Sequence, residues 1–313
     1  MPPRSAMSPA RRLRRSRWLP GSVAAGGVVA ALVAAGPAAS PARAAASHPP
    51  RSIAAYAAEL ANGTTGRQLW GRRQYSPRPI ASLTKVMTAL VVVRSGDLGR
   101  RIRITRADEA YLGCCIQGAG LKVGDVLTAR QLLSAMLLPS GADAALALAN
   151  SYGPGWRAFV GKMNANARRL HLVGTHFTNF DGVPSSDVST PRNLLLLGEA
   201  AMKLPVFRDV VRQKRYLLRA GPHHHRYFWL NTNLLLGRYP GVIGIKTGWT
   251  PEAGECLLFE ATRNKRVLIG VVLDSSPTKS GAIFSDAARL LNWGFGLHHA
   301  VTVPDPPAGV PTE

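Results

Sequence analysis

The chain has 313 residues and 46% hydrophobic content, with Lys and Arg totalling 39 against 17 acids for a net charge of +22. It is long enough to bury a sizeable core as one large domain or two small ones, and it is globular by composition. The charge does not carry a nucleic-acid reading: only eight of the cations are lysine, and the arginines of "VVRSGDLGRRIRITRAD" and "FRDVVRQKRYLLRA" lack the aromatic or glycine-loop context of binding modules.

Residues 1–46 read as an export signal. "RRLRRSRW" is a cationic n-region, "GSVAAGGVVAALVAAG" an apolar h-region, and "ARAAAS" a small-residue cleavage stretch. The apolar run, about 15 residues, is shorter than the roughly 20 a spanning helix needs, so cleavage and an extracytoplasmic location are expected. Seven arginines and no acid lie in this segment, and the remainder stays strongly basic. Outside the membrane such a surface is steered towards anionic wall polymers or lipid headgroups.

"SIAAYAAEL" and "RQLWGRR", flanking the turn-rich "ANGTTG", predict a hairpin leading into an apolar helix, "IASLTKVMTALVVV". Lys85 is the one charged side chain of that helix and sits in its first turn, where the macrodipole disfavours a cation. Two readings are open. Lys85 snorkels to solvent, or, three residues after Ser82 and on the same face, it takes the proton of the Ser82 hydroxyl.

"RRIRIT" alternates like a strand. "TARQLLSAMLL" with Thr128 as N-cap, "DAALALANSY" and "GWRAFVGKMNANARRL" carry helical spacing, and Thr190-Pro191 opens a further helix. "GVIGIKTGW", "ECLLFEATR" and "KRVLIGVVLD" suit an antiparallel meander, and "GAIFSDAARLLNWGF" closes it as an amphipathic helix. The order predicts an α+β fold: an antiparallel sheet flanked by helices with a helical insertion, spanning 47–300, and a Pro-rich tail over 301–313 without an anchor pattern. A cleft is expected at the seam of the two parts. Cys114, Cys115 and Cys256 are an odd number with no zinc spacing, read as small buried hydrophobes, with a bond to Cys256 left open. No metal or other cofactor is implied.

Ser82-x-x-Lys85 alone is weak. Ser140 falls on a Pro/Gly break between two helices, where a hydroxyl can project into a cleft or simply cap the next helix. Lys246-Thr247-Gly248 lie on an apolar strand or at its solvated end, and Asp143 reads as a helix N-terminal charge. Taken in order, "PIASLTKVMTAL", "LLSAMLLPSGADAALALAN" and "GVIGIKTGWT", with "FVGKMNANARRLHLVGTHFTNFDG" and "RLLNWGF", resemble the serine D-alanyl-D-alanine carboxypeptidases, low-molecular-mass penicillin-binding proteins, from about Ser52 to Phe295.

The resemblance implies a penicillin-binding-protein/β-lactamase-like fold, peptidoglycan stem peptides ending in D-Ala-D-Ala as substrate, and β-lactams as covalent inhibitors. It also implies roles: Ser82 as nucleophile and Lys85, kept neutral, as its base; Ser140 as proton relay and Lys246 as second cation; Thr247 on the substrate carboxylate and Gly248 giving room for a substrate strand. The N–H groups of Ser82 and Trp249 would form the oxyanion hole. The chain departs from the family at Ala142, where Asn is common and holds the substrate backbone, and in "SSPTKSGA", where Lys279 stands in a loop that carries arginine in some members. A DD-transpeptidase with the same site and a weakly active or non-catalytic wall-binding relative are the alternatives. A class A β-lactamase is disfavoured, since "NFDGVPSSDVSTPRN" holds no glutamate to activate deacylating water. His223 to His225 read as a flexible loop, because consecutive residues of a strand face opposite ways.

Overall fold

A computed structural model describes residues 49–113, 116–276, 281–297 and 301–303. The expected export signal, Cys114, Cys115, Lys279 and residues 304–313 of the tail lie outside the described residues. The strands are β1 (Ala57–Asn62), β2 (Gln68–Arg72), β3 (Arg78–Pro79), β4 (Arg101–Arg103), β5 (Val126–Thr128), β6 (Val188–Ser189), β7 (Arg215–Leu218), β8 (Tyr227–Leu230), β9 (Val242–Thr250), β10 (Gly254–Arg263) and β11 (Arg266–Leu273). The helices are α1 (Thr84–Ser95), α2 (Arg106–Ala110), α3 (Ala129–Leu137), α4 (Ala142–Tyr152), α5 (Trp156–Arg169), α6 (Pro191–Met202), α7 (Pro205–Val211) and α8 (Ala282–Phe295). None of the described helices is long and apolar enough to cross a membrane.

Five strands form one antiparallel sheet in the order β2-β1-β11-β10-β9. Its hairpins follow from local chemistry. Asn62 accepts the N–H groups of Thr64 and Thr65 at the β1–β2 turn. Asn264 and Lys265, both at positive φ, form the two-residue loop between β10 and β11. Along β10 the side chains alternate in destination: Leu257, Phe259 and Ala261 join Phe284, Leu290 and Leu291 of α8, whereas Cys256 and Leu258 join the core shared with the helical layer. Its central run, residues 256–259, is apolar without alternation, because the strand is covered on both faces there. The first strand is secured from far away in sequence: the Asp286 carboxylate accepts the N–H groups of Ala54 (2.9 Å) and Ala55 (2.7 Å).

On the other face α6 packs on β1 and β11, and α1 fills the centre of the helical layer among α3, α4, α5, α6 and α7. Every residue of α1 from Thr84 to Val92 is buried, so Lys85 does not snorkel. Two expected N-caps form as drawn from sequence. Thr128 makes a reciprocal capping box with Gln131 at α3, and Thr190 caps α6 ahead of Pro191. A difference appears at Ser82, which precedes α1 in a separate 3-10 turn, Ala81–Leu83.

Candidate active site

That turn is set by Ala81, held at φ 47°, a left-handed conformation that costs a non-glycine residue roughly 1–2 kcal/mol. It brings Ser82 Oγ within 2.9 Å of Lys85 Nζ. The two side chains are 6% and 1% exposed, so the contact is made away from bulk water. Lys85 also donates to the main-chain carbonyl of Asp181 at 2.9 Å.

The segment that supplies this carbonyl is strapped along α1. Thr84 donates to Asp187 Oδ2 (2.8 Å) and Thr88 to the Phe180 carbonyl (2.6 Å), so one polar stripe on an otherwise apolar helix grips residues 180–187. Asn179 holds the bend internally: its Oδ1 accepts the N–H groups of Asp181 and Gly182, and its Nδ2 reaches the Pro184 carbonyl. Glycine is required at 182, with φ 94° and a position where an added Cβ would lie 2.0 Å from the Ala81 carbonyl oxygen. The Tyr111 hydroxyl bridges Asp181 Oδ1 and the Val183 carbonyl. Burial raises the Asp181 carboxyl, with the Lys85 charge pulling against it, and burial likewise raises Asp187 against its four hydrogen-bond donors.

Ser140 lies between α3 and α4 as the Pro/Gly break predicts, at φ 69°. The hydroxyl does not project into open space and does not cap α4, whose N-cap is Gly141 without a side-chain bond. It is fully buried and makes no hydrogen bond among the described residues. Asp143 is in the first turn of α4, but its carboxylate turns back to accept the N–H groups of Ala119 and Leu121, fixing the strand-like stretch beside the cavity. Burial raises its carboxyl even so. Ala142 is buried too, with its N–H donating to the Gln117 carbonyl, and it is not among the residues lining the cavity.

On β9, Lys246 Nζ donates to the Thr247 carbonyl at 3.0 Å, and the Thr247 hydroxyl lies 2.6 Å from that of Thr232. Both residues are buried within the strand, not at a solvated end. A Cβ at Gly248 would meet the Ile80 carbonyl at 3.1 Å and the Ser82 nitrogen at 3.2 Å. The lack of a side chain there lets β9 close on the Ser82 turn itself, a neighbour the sequence did not point to.

A cavity of about 550 Å³ opens at this seam, lined by Ser82, Lys85, Gln117, Val183, Ser185 and Trp249 among others. Of the residues picked out from sequence, Ser82, Lys85 and Trp249 are on its wall, while Ser140, Lys246, Thr247 and Gly248 are not among its lining residues. Ser185 closes the rim by bonding Thr250 and Glu252, and it lowers the Glu252 carboxyl. Asn179, Asp181 and Tyr111 were missed, and Asp143 was read only as a helix N-terminal charge. The "NFDG" run carried the turn signal that could have marked the first two, but a main-chain acceptor has no signature of its own. His223 to His225 lie away from this cavity, and the described residues contain no cluster of His, Cys, Asp or Glu able to hold a metal.

Known proteins resemble the chain over most of its length. A family model described as D-alanyl-D-alanine carboxypeptidase, peptidase S11, matches residues 43–277. The chain is 42% identical over 261 residues to the D-alanyl-D-alanine carboxypeptidase of Streptomyces sp. strain K15, covering 79% of this chain and 89% of that one. It is 36% identical over 252 residues to the carboxypeptidase DacB2 of Mycobacterium tuberculosis, covering 78% and 83%. The crystal structure of the Streptomyces K15 DD-transpeptidase superposes with a TM-score of 0.75 at 40% identity, covering 80% of this chain and all of that one. With a matching family model over most of its length and relatives of this similarity, the chain belongs to the peptidase S11 family of D-alanyl-D-alanine carboxypeptidases, which are serine hydrolases.

Proposed function

We propose that this protein is exported and removes the terminal D-Ala from peptidoglycan stem peptides through an acyl-enzyme on Ser82. The observation that carries the reading is the 2.9 Å approach of Lys85 Nζ to Ser82 Oγ at the wall of a cavity. An amine in that place takes the serine proton as Oγ attacks the scissile carbonyl carbon. The oxyanion is received by the N–H groups of Ser82 and Trp249. Ser140 passes the proton on to the leaving nitrogen, the C–N bond breaks, and D-Ala departs with its carboxylate on Thr247, beside the charge of Lys246. Water then cleaves the ester. The Asp181 carbonyl keeps Lys85 aimed at Ser82, a positioning role. Penicillins would acylate the same oxygen, and the basic surface would hold the enzyme near anionic wall or membrane material, not nucleic acid.

The test is to incubate the protein with a penicillin and locate the adduct by mass, alongside D-Ala release from a diacyl tripeptide ending in D-Ala-D-Ala. The expected result is one adduct on the peptide containing Ser82, with both signals lost in Ser82→Ala. Labelling that survives Ser82→Ala would remove the nucleophile from this account, and rapid turnover of the drug would favour a β-lactamase. Export is checked by reading the N-terminus of the secreted form. A DD-transpeptidase using the same site is the second reading, favoured by the description of the Streptomyces K15 structure as a DD-transpeptidase.

A further inference from the structure

Strands β7 and β8 form a two-stranded antiparallel hairpin, with Tyr216 opposite Trp229 and Leu217 opposite Phe228. Opposite residues share a face and successive residues alternate between faces. One face is anchored. Leu218, Tyr227 and Trp229 are buried in the core shared with the helical layer, Trp229 stacks with Tyr216 and Tyr227, and its indole N–H donates to the Ala119 carbonyl at 2.9 Å. The other face is open: Leu217, Phe228 and Leu230 are 47%, 52% and 60% exposed. Large apolar side chains exposed singly are ordinary, but three of the seven exposed among the described residues stand together here.

Arginines close both ends of this apolar strip. Arg215 lies opposite Leu230. The Gly221–His224 bridge continues the hairpin's register beyond β7 and β8, so Arg219 and Arg226 fall opposite each other on the face of Leu217 and Phe228. All three arginines are exposed, and no acid occurs in sequence between Asp209 and Glu252. Asp125, which the hairpin does touch, is buried and accepts from the Tyr227 hydroxyl and the His225 N–H, so it does not neutralise the open face. This combination argues against two occupants. A second copy of the chain would set one cationic face against another. A soluble polyanion would offer phosphates to the arginines and nothing to Phe228 or Leu230.

We infer that the open face of the β7–β8 hairpin docks on the surface of an anionic lipid bilayer. The inference rests on the export reading above, which sequencing of the N-terminus tests separately. Leu217, Phe228 and Leu230 enter the boundary between headgroups and acyl chains, and Arg215, Arg219 and Arg226 meet lipid phosphates. The contact is peripheral: side chains enter the lipid, and the hairpin's backbone keeps its own pairing outside the hydrocarbon. It also orients the enzyme. Leu230 runs directly into Asn231 and Thr232, whose hydroxyl lies 2.6 Å from that of Thr247, and Phe228 and Leu230 border a groove that shares Gln117 with the catalytic cavity. Docking by this face therefore holds the catalytic seam beside the headgroup layer, within reach of wall peptides close to the membrane.

The experiment sediments the exported form with vesicles of phosphatidylcholine, alone or mixed with phosphatidylglycerol. Binding is expected on the anionic vesicles and is weaker on the neutral ones. The pair Phe228→Ser, Leu230→Ser lowers binding to anionic vesicles by about tenfold, as two half-exposed apolar side chains warrant. The triple Arg215→Gln, Arg219→Gln, Arg226→Gln lowers it by about tenfold or more and flattens its dependence on salt. All five positions are exposed, so thermal melts and penicillin labelling of Ser82 should match the parent. Amide exchange over residues 215–230 slows when anionic vesicles are added, a local reading that does not depend on the N-terminus. No vesicle binding, equal binding to neutral vesicles, binding untouched by the serine pair, or unchanged exchange in the hairpin would each overturn the inference. So would a dimer in solution that the serine pair dissociates. Penicillin labelling on the same samples separates the two readings: a labelled enzyme that ignores vesicles sinks this inference alone, and vesicle binding without labelling sinks only the acyl-enzyme on Ser82.

Discussion

Ser140 combines a left-handed backbone, φ 69°, with a buried hydroxyl that bonds nothing among the described residues. Both features destabilise the fold, the backbone by roughly 1–3 kcal/mol and the orphaned hydroxyl by about 1–3 kcal/mol. Ser140→Gly relieves both, so it is expected to raise the unfolding free energy by about 1–3 kcal/mol while slowing penicillin acylation by roughly a hundredfold, the scale of a lost proton relay. Thermal melts and acylation kinetics on one preparation check this. A less stable variant that acylates normally would show that the serine is structural. Ala142 behaves in the opposite sense. From sequence it is a missing hydrogen bond to substrate, but the site has closed around its methyl, so Ala142→Asn is expected to lose about 1–3 kcal/mol through overpacking. An Asn variant that melts with the parent and turns over faster would reopen the sequence reading. Ser82 and Lys85 could be paired from sequence because they are three residues apart and on one face, whereas Ser140 and Lys246, far off along the chain, were singled out only through the order of motifs that resembles the family. The burial that decides what each can do is set by neighbours a hundred residues away, and was not legible.

Among the elements, the hairpins and caps could be read because Asn62, Thr128 and Thr190 act on amides two or three residues on. The segment 179–187 read only as a polar loop. Its part in the site comes from tertiary partners, Thr84, Lys85 and Thr88 on α1, and from carbonyls, which every residue possesses. Asn179→Ala removes the acceptor for the Asp181 and Gly182 amides and the donor to Pro184. The expected outcome is a loss of about 1–3 kcal/mol in stability with a larger relative fall in acylation rate than in substrate affinity, since the Asp181 carbonyl no longer fixes Lys85. If the KM for a D-Ala-D-Ala peptide rises while the rate constant holds, the segment serves substrate binding instead.

For the whole molecule, burial raises an unusual set of carboxyls: Glu59, pushed up to about 7 despite Arg192 at 3.3 Å, together with Asp143, Asp181, Asp187, Glu199 and Glu260. Asp125, bonded by Tyr227 and His225, is lowered and acts in the other direction. A group raised on folding holds its proton in the native state at pH values where the unfolded chain has released it. Its stabilising share is therefore complete below the ordinary carboxylate range and is lost as pH rises through the folded value, about 7 for Glu59. The melting temperature is expected to fall between about pH 5 and pH 7.5, and to fall less steeply in Glu59→Gln. A flat or rising profile over that interval would mean these carboxyls are ionised at little cost in the native state.

The place of β1, between β2 and β11, bears on how the enzyme is made. A strand that begins at Ala57 finds its inner partner only at Arg266–Leu273, and the amides just before it wait for Asp286. Until those residues have been synthesised, the emerging chain carries Ser82, Lys85, Ser140 and Lys246 beside a sheet that cannot close, with a bare strand edge. Every residue proposed for catalysis is thus translated before the protein can fold around it. A message cut short after codon 260 would encode every residue proposed for the reaction and is expected to yield no active peptidase.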